Sequence, residues 1–395
     1  VTLSAAAMML LCGCVVFRHP PSSGESAFQQ VPLSRFPDFG DTKDRAALIR
    51  AAQNSLSYLQ SLNKESLYTI GDRQVAPALL AASLKEFIKI AGENLTADEF
   101  KAKVAEKFEV YRSIGSDGKG LVVFSSYYEP VFKASKTRTS EYKYPIYRRP
   151  PDLVDVNLED FDAKKYKGEQ VSGRVDGAKL IPYMARTRVE IERALEGKGL
   201  ELAWLRSRLE VMNLQVEGSG RLEFTDGTVM RADCAGTNGL AFSGHISALK
   251  KAGMLPDGVD SEEYIKSHPE LDAALPYTNA RYVFFELNPL EDASIGPIGT
   301  FGGPLVGGRS VAVDTKYVPL GALAFLESTI PRFDSDGKLL EFSHVGKFVM
   351  AQDTGGAIKG PGRVDYFAGT GEEAKRIANR TWQNGSLYLL LLKAD

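Results

Sequence analysis

Cysteine and histidine are scarce in this chain of 395 residues: three cysteines (Cys12, Cys14, Cys234) and four histidines (His19, His245, His268, His344). Two cysteines crowd the N-terminus and the third stands alone, which is neither a disulfide framework nor a zinc pattern. The histidines are far apart and no H-x-x-x-H or C-x-x-C pairing occurs, so metal catalysis has no support and no cofactor is expected. Nucleotide-binding glycine motifs are missing too. Gly355-Gly356-Ala357-Ile358-Lys359-Gly360 has a loose phosphate-loop look, but Lys359 falls in the wrong place. Ser219 in Gly218-Ser219-Gly220 lacks the G-x-S-x-G elbow of a serine nucleophile. Charge of one sign is also lacking: 48 Lys+Arg against 50 Asp+Glu, a formal net charge of -2, gives no reason to expect nucleic acid as a partner.

What is present describes an ordinary globular chain, 44% hydrophobic and 25% charged, long enough for two or three domains. Its 37 glycines lean toward a turn-rich, β-containing fold. Residues 1–11, VTLSAAAMMLL, are an apolar run too short to span a bilayer but of the length of a signal-peptide core. Leu11-Cys12-Gly13-Cys14 then resembles a bacterial lipoprotein cleavage site, which would leave Cys14 as a lipid-bearing N-terminus; a plain secretory signal is the other reading. Cys234 is expected to be a buried small hydrophobe. Residues 15–43 have no periodicity and read as a tether.

Helical stripes follow, at Ile49, Leu56, Leu59 and Leu62 and at Leu80, Leu84, Phe87 and Ile88, the second stopped by Gly92. Thr96 and Glu99 form a capping box before a third helix, and Thr187 and Glu190 a second box before a helix ending near Gly197 or Gly199. Strands are expected at 121–124 and 127–130, on both sides of Gly218-Ser219-Gly220, and repeatedly after residue 310, with one helix at about 372–379. Between Lys133 and Pro151 six Lys/Arg face Glu141 alone, a local charge of +5. That stretch is either a solvated loop or a groove wall for an anionic polymer.

The remaining chemistry lies in carboxylates near strand ends. Asp314 closes Ser310-Val311-Ala312-Val313, Asp353 closes Val349-Met350-Ala351-Gln352, and Asp365 sits between Val364 and Tyr366. Aspartate is a poor strand residue, so three such positions imply turn duty or chemistry. Glycosidic cleavage uses carboxyls of this kind as acid and base.

Ser310–Gly321 (SVAVDTKYVPLG) with Ala351–Gly371 (AQDTGGAIKGPGRVDYFAGTG) resembles the three-aspartate domain of the membrane-bound lytic transglycosylase A family. Upstream blocks resemble the same family: Tyr127-Tyr128-Glu129-Pro130, Tyr144–Leu153, Gly199–Leu205 (GLELAWL), Leu214–Arg221 (LQVEGSGR) and Tyr282–Phe285. The likeness runs in order over roughly residues 115–393. It implies a mainly β fold with peripheral helices: a double-psi β-barrel catalytic domain and a second, smaller inserted β-rich domain. The expected division is a signal at 1–14, a tether at 15–43, the barrel at 44–130 and 294–395, and the insert at 131–293, with a glycan groove in the cleft.

The implied reaction is lysis of the β-1,4 bond from N-acetylmuramic acid to N-acetylglucosamine in peptidoglycan, giving a 1,6-anhydro end without consuming water. Asp365 matches the family's catalytic acid, and Asp353 and Asp314 the supporting aspartates. Tyr127 and Tyr128 are candidate stacking platforms or strand core. Gln215, Glu217, Gly218, Ser219 and Gly220 are candidate groove residues, and Lys359 a partner of substrate or of Asp353. Two departures stand out: Ser125-Ser126 where the family shows Thr-Gly, expected to alter a strand-end turn, and Glu217 where a glutamine is usual. A two-carboxylate hydrolase using Asp353 and Asp365, and a non-catalytic peptidoglycan-binding lipoprotein, stay open as alternatives. Val15 after the lipid cysteine points to the outer membrane, facing the periplasm. The expected partners are glycan strands, the membrane through Cys14, and the cell-wall synthesis or division machinery.

Overall fold

A computed structural model describes residues 26–62, 67–166, 169–290 and 292–394. The signal segment, Cys12, Cys14 and His19 lie outside the described residues. The architecture is mainly β, as expected, and its centre is a closed ring of six strands. Around the ring run Trp382–Leu392, Leu323–Phe333, Leu339–Asp353, Ser310–Ala312, Arg363–Thr370 and Val122–Glu129, and the last pairs back onto the first. Two of these pairings are parallel: Ser310–Ala312 with Leu339–Asp353, and Arg363–Thr370 with Val122–Glu129. The expected strands at 121–124 and 127–130 are one continuous strand through Ser125 and Ser126.

Helices Arg45–Ser61, Pro77–Gly92 and Ala97–Lys107 cover the ring with the apolar faces read from their spacing. The third carries the full Thr96–Glu99 capping box. In the shared core, Phe348 meets Phe325, Phe39 and Phe87 with centroids 4.8, 5.5 and 4.8 Å apart. Aromatic packing at such distances adds to simple area burial.

The tether reading fails for the described part of 15–43. Phe28–Val31 pairs antiparallel with Phe108–Ser113 beside the ring, and Phe39 is fully buried. Asp41 is buried, forms an ion pair with Arg309 and accepts the Phe348 N–H at 2.9 Å. The segment has no periodicity because it is a short strand followed by two separate anchors.

At Pro130 the chain leaves the ring and continues as Val131–Ala134, the edge of a four-stranded sheet with Ser219–Phe224, Val229–Thr237 and Val283–Pro289. This region has its own apolar clusters, one around Phe285, Leu214 and Leu222 and another around Tyr282 and Phe284. Two local expectations are corrected here. The second capping box does not form: the helix is only Arg186–Glu190, and Glu190 turns back to Arg186 at 2.6 Å. The stretch before Gly218 is a helix, Arg208–Glu217, capped by Ser207 and ended by Gly218 at φ 80°, a conformation that favours glycine. Val211, Leu214 and Val216 mimic strand chemistry, but the Ser207 and Glu210 capping contacts start a helix.

No residue of the basic stretch lines the large cleft described below, and four of its six cations are paired. Lys133, Lys136, Arg138 and Arg149 are matched by Glu223, Asp226, Glu196 and Asp155. Exposed pairs of this kind contribute little stability but cancel the local field.

Candidate active site

A cleft of about 950 Å³ opens between the strand ends of the ring and the second region. That is the size of a site for an extended ligand. Its floor is set by register. The short strand Ser310–Ala312 lies between two others, and Ala312 is the register partner of Asp353 on one side and Asp365 on the other. Strands are spaced by roughly 4.8 Å, so the two aspartates are about 10 Å apart at Cα, with Ala312 between them. A small residue there leaves room above the row.

On the next strand Ser125 is the register partner of Asp365. Its Oγ donates to Asp365 Oδ1 at 2.6 Å and accepts from Arg363 Nη2 at 3.0 Å. Ser125 therefore does not alter a turn, as expected from sequence, but holds the central carboxyl mid-strand. Among the described residues no hydrogen bond reaches Asp365 Oδ2, which leaves that oxygen available to a ligand.

Asp365 is partly open to the cleft yet ringed by protein, and this desolvation pushes its carboxyl up to about 6. The Ser125 hydrogen bond and Arg363 oppose the shift, and Asp353 adds to it. Burial also weakens the Arg363 guanidinium's hold on its proton, which Asp365 counters.

Asp353 lines the cleft and accepts three hydrogen bonds. Tyr127 Oη donates to its Oδ2 at 2.8 Å, and the Thr300 N–H and hydroxyl donate to Oδ1 at 2.9 and 2.8 Å. Asp314 is buried away from this pair and does not line the cleft. Its Oδ1 accepts the Lys316 N–H at 3.1 Å and its Oδ2 the Gly360 N–H at 2.7 Å, so it ties the 354–362 loop to the strand end. Both contacts are of the kind expected of a turn residue.

Other expected residues divide. Gln215, Glu217, Gly218 and Ser219 line the cleft, whereas Gly220 is buried in the strand beneath it, with Leu214 and Pro130 where a side chain would begin. The two tyrosines differ, and only Tyr127 lines the cleft. Tyr127 packs on Phe367 with centroids 5.2 Å apart while bonding Asp353, and Tyr128 is buried on the opposite side of the strand. Lys359 is exposed and does not contact Asp353, whose partners are Tyr127 and Thr300. Cys234 is exposed in the cleft wall and is not a core residue.

Sequence reasoning missed Thr300, Arg363 and Trp382. Trp382 is 68% exposed on the cleft, with Arg363 4.8 Å above its ring centroid, a flat face of the kind sugars stack on.

The comparisons agree with this architecture. The MltA specific insert domain matches residues 123–286, and the 3D domain matches residues 309–391. The membrane-bound lytic murein transglycosylase A of Escherichia coli (strain K12) is 28% identical over 317 residues, 78% of this chain and 74% of that protein. The Vibrio cholerae protein of the same name is 25% identical over 99% of this chain and 94% of its own length. The crystal structure of a membrane-bound lytic murein transglycosylase from Agrobacterium tumefaciens superposes with a TM-score of 0.72 at 28% identity, covering 93% of this chain and 98% of that one. The central ring is the double-psi β-barrel of these structures.

Proposed function

The chain belongs to the membrane-bound lytic murein transglycosylase A family, and on that premise we propose how its cleft cuts a glycan. It is an enzyme acting on peptidoglycan, a lytic transglycosylase. The bond cleaved is the β-1,4 link between N-acetylmuramic acid and N-acetylglucosamine. Asp365 is the acid: protonated at Oδ2, it gives that proton to the glycosidic oxygen as the C1–O bond breaks. The same oxygen, now a carboxylate, takes the proton of the C6 hydroxyl as that oxygen bonds C1. The product ends in 1,6-anhydro-muramic acid, no water is used, and Asp365 returns protonated. The nucleophile is tethered, so its effective molarity is high once the ring is bent.

One observation carries this reading: Asp365 has one oxygen fixed by Ser125, the other unpartnered, and a carboxyl raised to about 6 by desolvation. A carboxyl so placed serves as acid and then base near neutral pH. Asp353 supports it as a fixed negative charge facing the developing positive charge at C1. Its oxygens are occupied by Tyr127 and Thr300, which argues against the hydrolase alternative, where it would have to activate water. Asp314 acts through the loop it anchors, Trp382 offers the stacking face, and Gln215, Glu217 and Ser219 face the sugars.

The relatives are named membrane-bound. Among the described residues no helix is long and apolar enough to cross a membrane. Attachment through a lipid on Cys14, an outer-membrane location facing the periplasm, and association with cell-wall synthesis or division machinery are further parts of this proposal. They rest on the sequence around Cys14 and on the reaction. Asp365→Asn tests the chemistry: turnover of murein falls to background while a glycan oligomer still binds. Retained turnover would overturn the assignment.

A further inference from the structure

Glu217 occupies a place where a carboxylate is poorly accommodated. It is the last residue of the helix Arg208–Glu217, whose carbonyl end carries a partial negative charge. Its Oε2 accepts one hydrogen bond, from the Tyr128 N–H at 3.2 Å. Among the described residues no cation lies within ion-pair distance of it. The titratable groups facing it are mostly acidic: Asp365 from the strand Arg363–Thr370, Glu262 from the helix Ser261–Ser267, and the Tyr128 phenol. Lys375, from the helix Gly371–Arg380, is spent on Glu262 at 2.7 Å. His245 and Arg380 border the hollow behind Glu217 without bonding to it. Two residues earlier, Gln215 is only 6% exposed, and its amide lies buried against the Tyr282 phenol. This wall therefore presents an unpaired carboxyl to the same cleft that holds Asp365.

We propose that Glu217 works as a neutral acid, donating its O–H to an uncharged oxygen of the bound glycan, so that glycan binding itself weakens when Glu217 loses its proton. A carboxylate could only accept, and would repel the ionised form of Asp365 across the cleft. A protonated carboxyl supplies both a donor and an acceptor, as an amide does, while its second oxygen keeps the Tyr128 bond. Burial, Asp365 and Glu262 together push Glu217 up to about 8, against the Tyr128 hydrogen bond and Lys375, in keeping with a neutral group at physiological pH.

The inference rests on the proposed function for its ligand class, and binding separates it from catalysis. The protein is Asp365→Asn, the probe is chitohexaose, and the readout is titration calorimetry from pH 6 to pH 9.5. The expected result is a Kd that rises about tenfold or more by roughly pH 9, because Asp365→Asn removes one of the charges that raise Glu217 and the competent fraction falls to about a tenth or less. Adding Glu217→Gln, which keeps an oxygen for the Tyr128 N–H, should hold Kd within about twofold over that range. The Cys234 thiol, though exposed at the cleft surface, is raised by desolvation from the protein around it, loses its proton later and does not mimic the effect. A flat profile in Asp365→Asn, an equal rise in the double variant, or no binding at any pH would overturn the proposal. If the double variant fails to fold, the profile of Asp365→Asn alone still decides. Failure of the lytic reading appears elsewhere, as absent anhydro ends from the unaltered enzyme near pH 6, and leaves the binding comparison intact.

Discussion

Tyr127 Oη donates to Asp353 Oδ2 at 2.8 Å, from a strand that is not hydrogen-bonded to the strand of Asp353. The contact reaches across the open end of the barrel and joins two strands that the register brings together only through intermediates. A hydrogen bond to a charged group contributes about 1.5–3 kcal/mol. Tyr127→Phe keeps the Phe367 packing and removes that bond, so kcat should fall about tenfold or more with KM changed much less. Steady-state kinetics on solubilised murein check this.

Ser125→Ala tests the hydrogen bond on Asp365. That bond lowers the Asp365 pKa against desolvation, so its loss moves the carboxyl above about 6. The reaction needs Asp365 protonated at the start, so activity declines as pH rises through its pKa. The alkaline limb of kcat/KM should therefore move to higher pH in Ser125→Ala, and a limb that moves down would contradict the assignment.

Asp314→Ala should act as a positioning change and not as loss of a reacting group. Freeing Gly360 and the 354–362 loop is expected to raise KM more than it lowers kcat and to reduce stability by about 1–3 kcal/mol. Asp314→Asn, which still accepts the Gly360 N–H, should recover most of both losses. Kinetics with urea melts distinguish these outcomes.

Asp41→Ala leaves Arg309 buried without its partner. Breaking a buried pair in this way costs about 3–5 kcal/mol. Chemical denaturation should show a loss of that order, whereas a detached tether would show none.

Periodicity and capping were enough to read the three helices over the barrel, and the β-rich C-terminal third followed from its strand-like runs. The segment around Phe39 and Asp41 was opaque because each anchor acts singly, through a ring and an ion pair, without a repeat. The helix Arg208–Glu217 was hidden by strand-like valines. The aspartates could be picked out because aspartate is unusual in strands, but their division of labour could not. Only the register shows Asp353 and Asp365 flanking Ala312, and only the contacts show Asp314 bonded to a loop. Thr300 and Trp382 reach the site from distant stretches of chain, which no local pattern reports.

The central claim is that the C6 hydroxyl of the sugar, and not water, takes the bond that Asp365 helps to break. Mass analysis of the muropeptides released from murein tests it most directly. The account predicts 1,6-anhydro ends, lighter by one water than reducing ends, and none of them with Asp365→Asn. Reducing ends as the main product of the unaltered enzyme would contradict it.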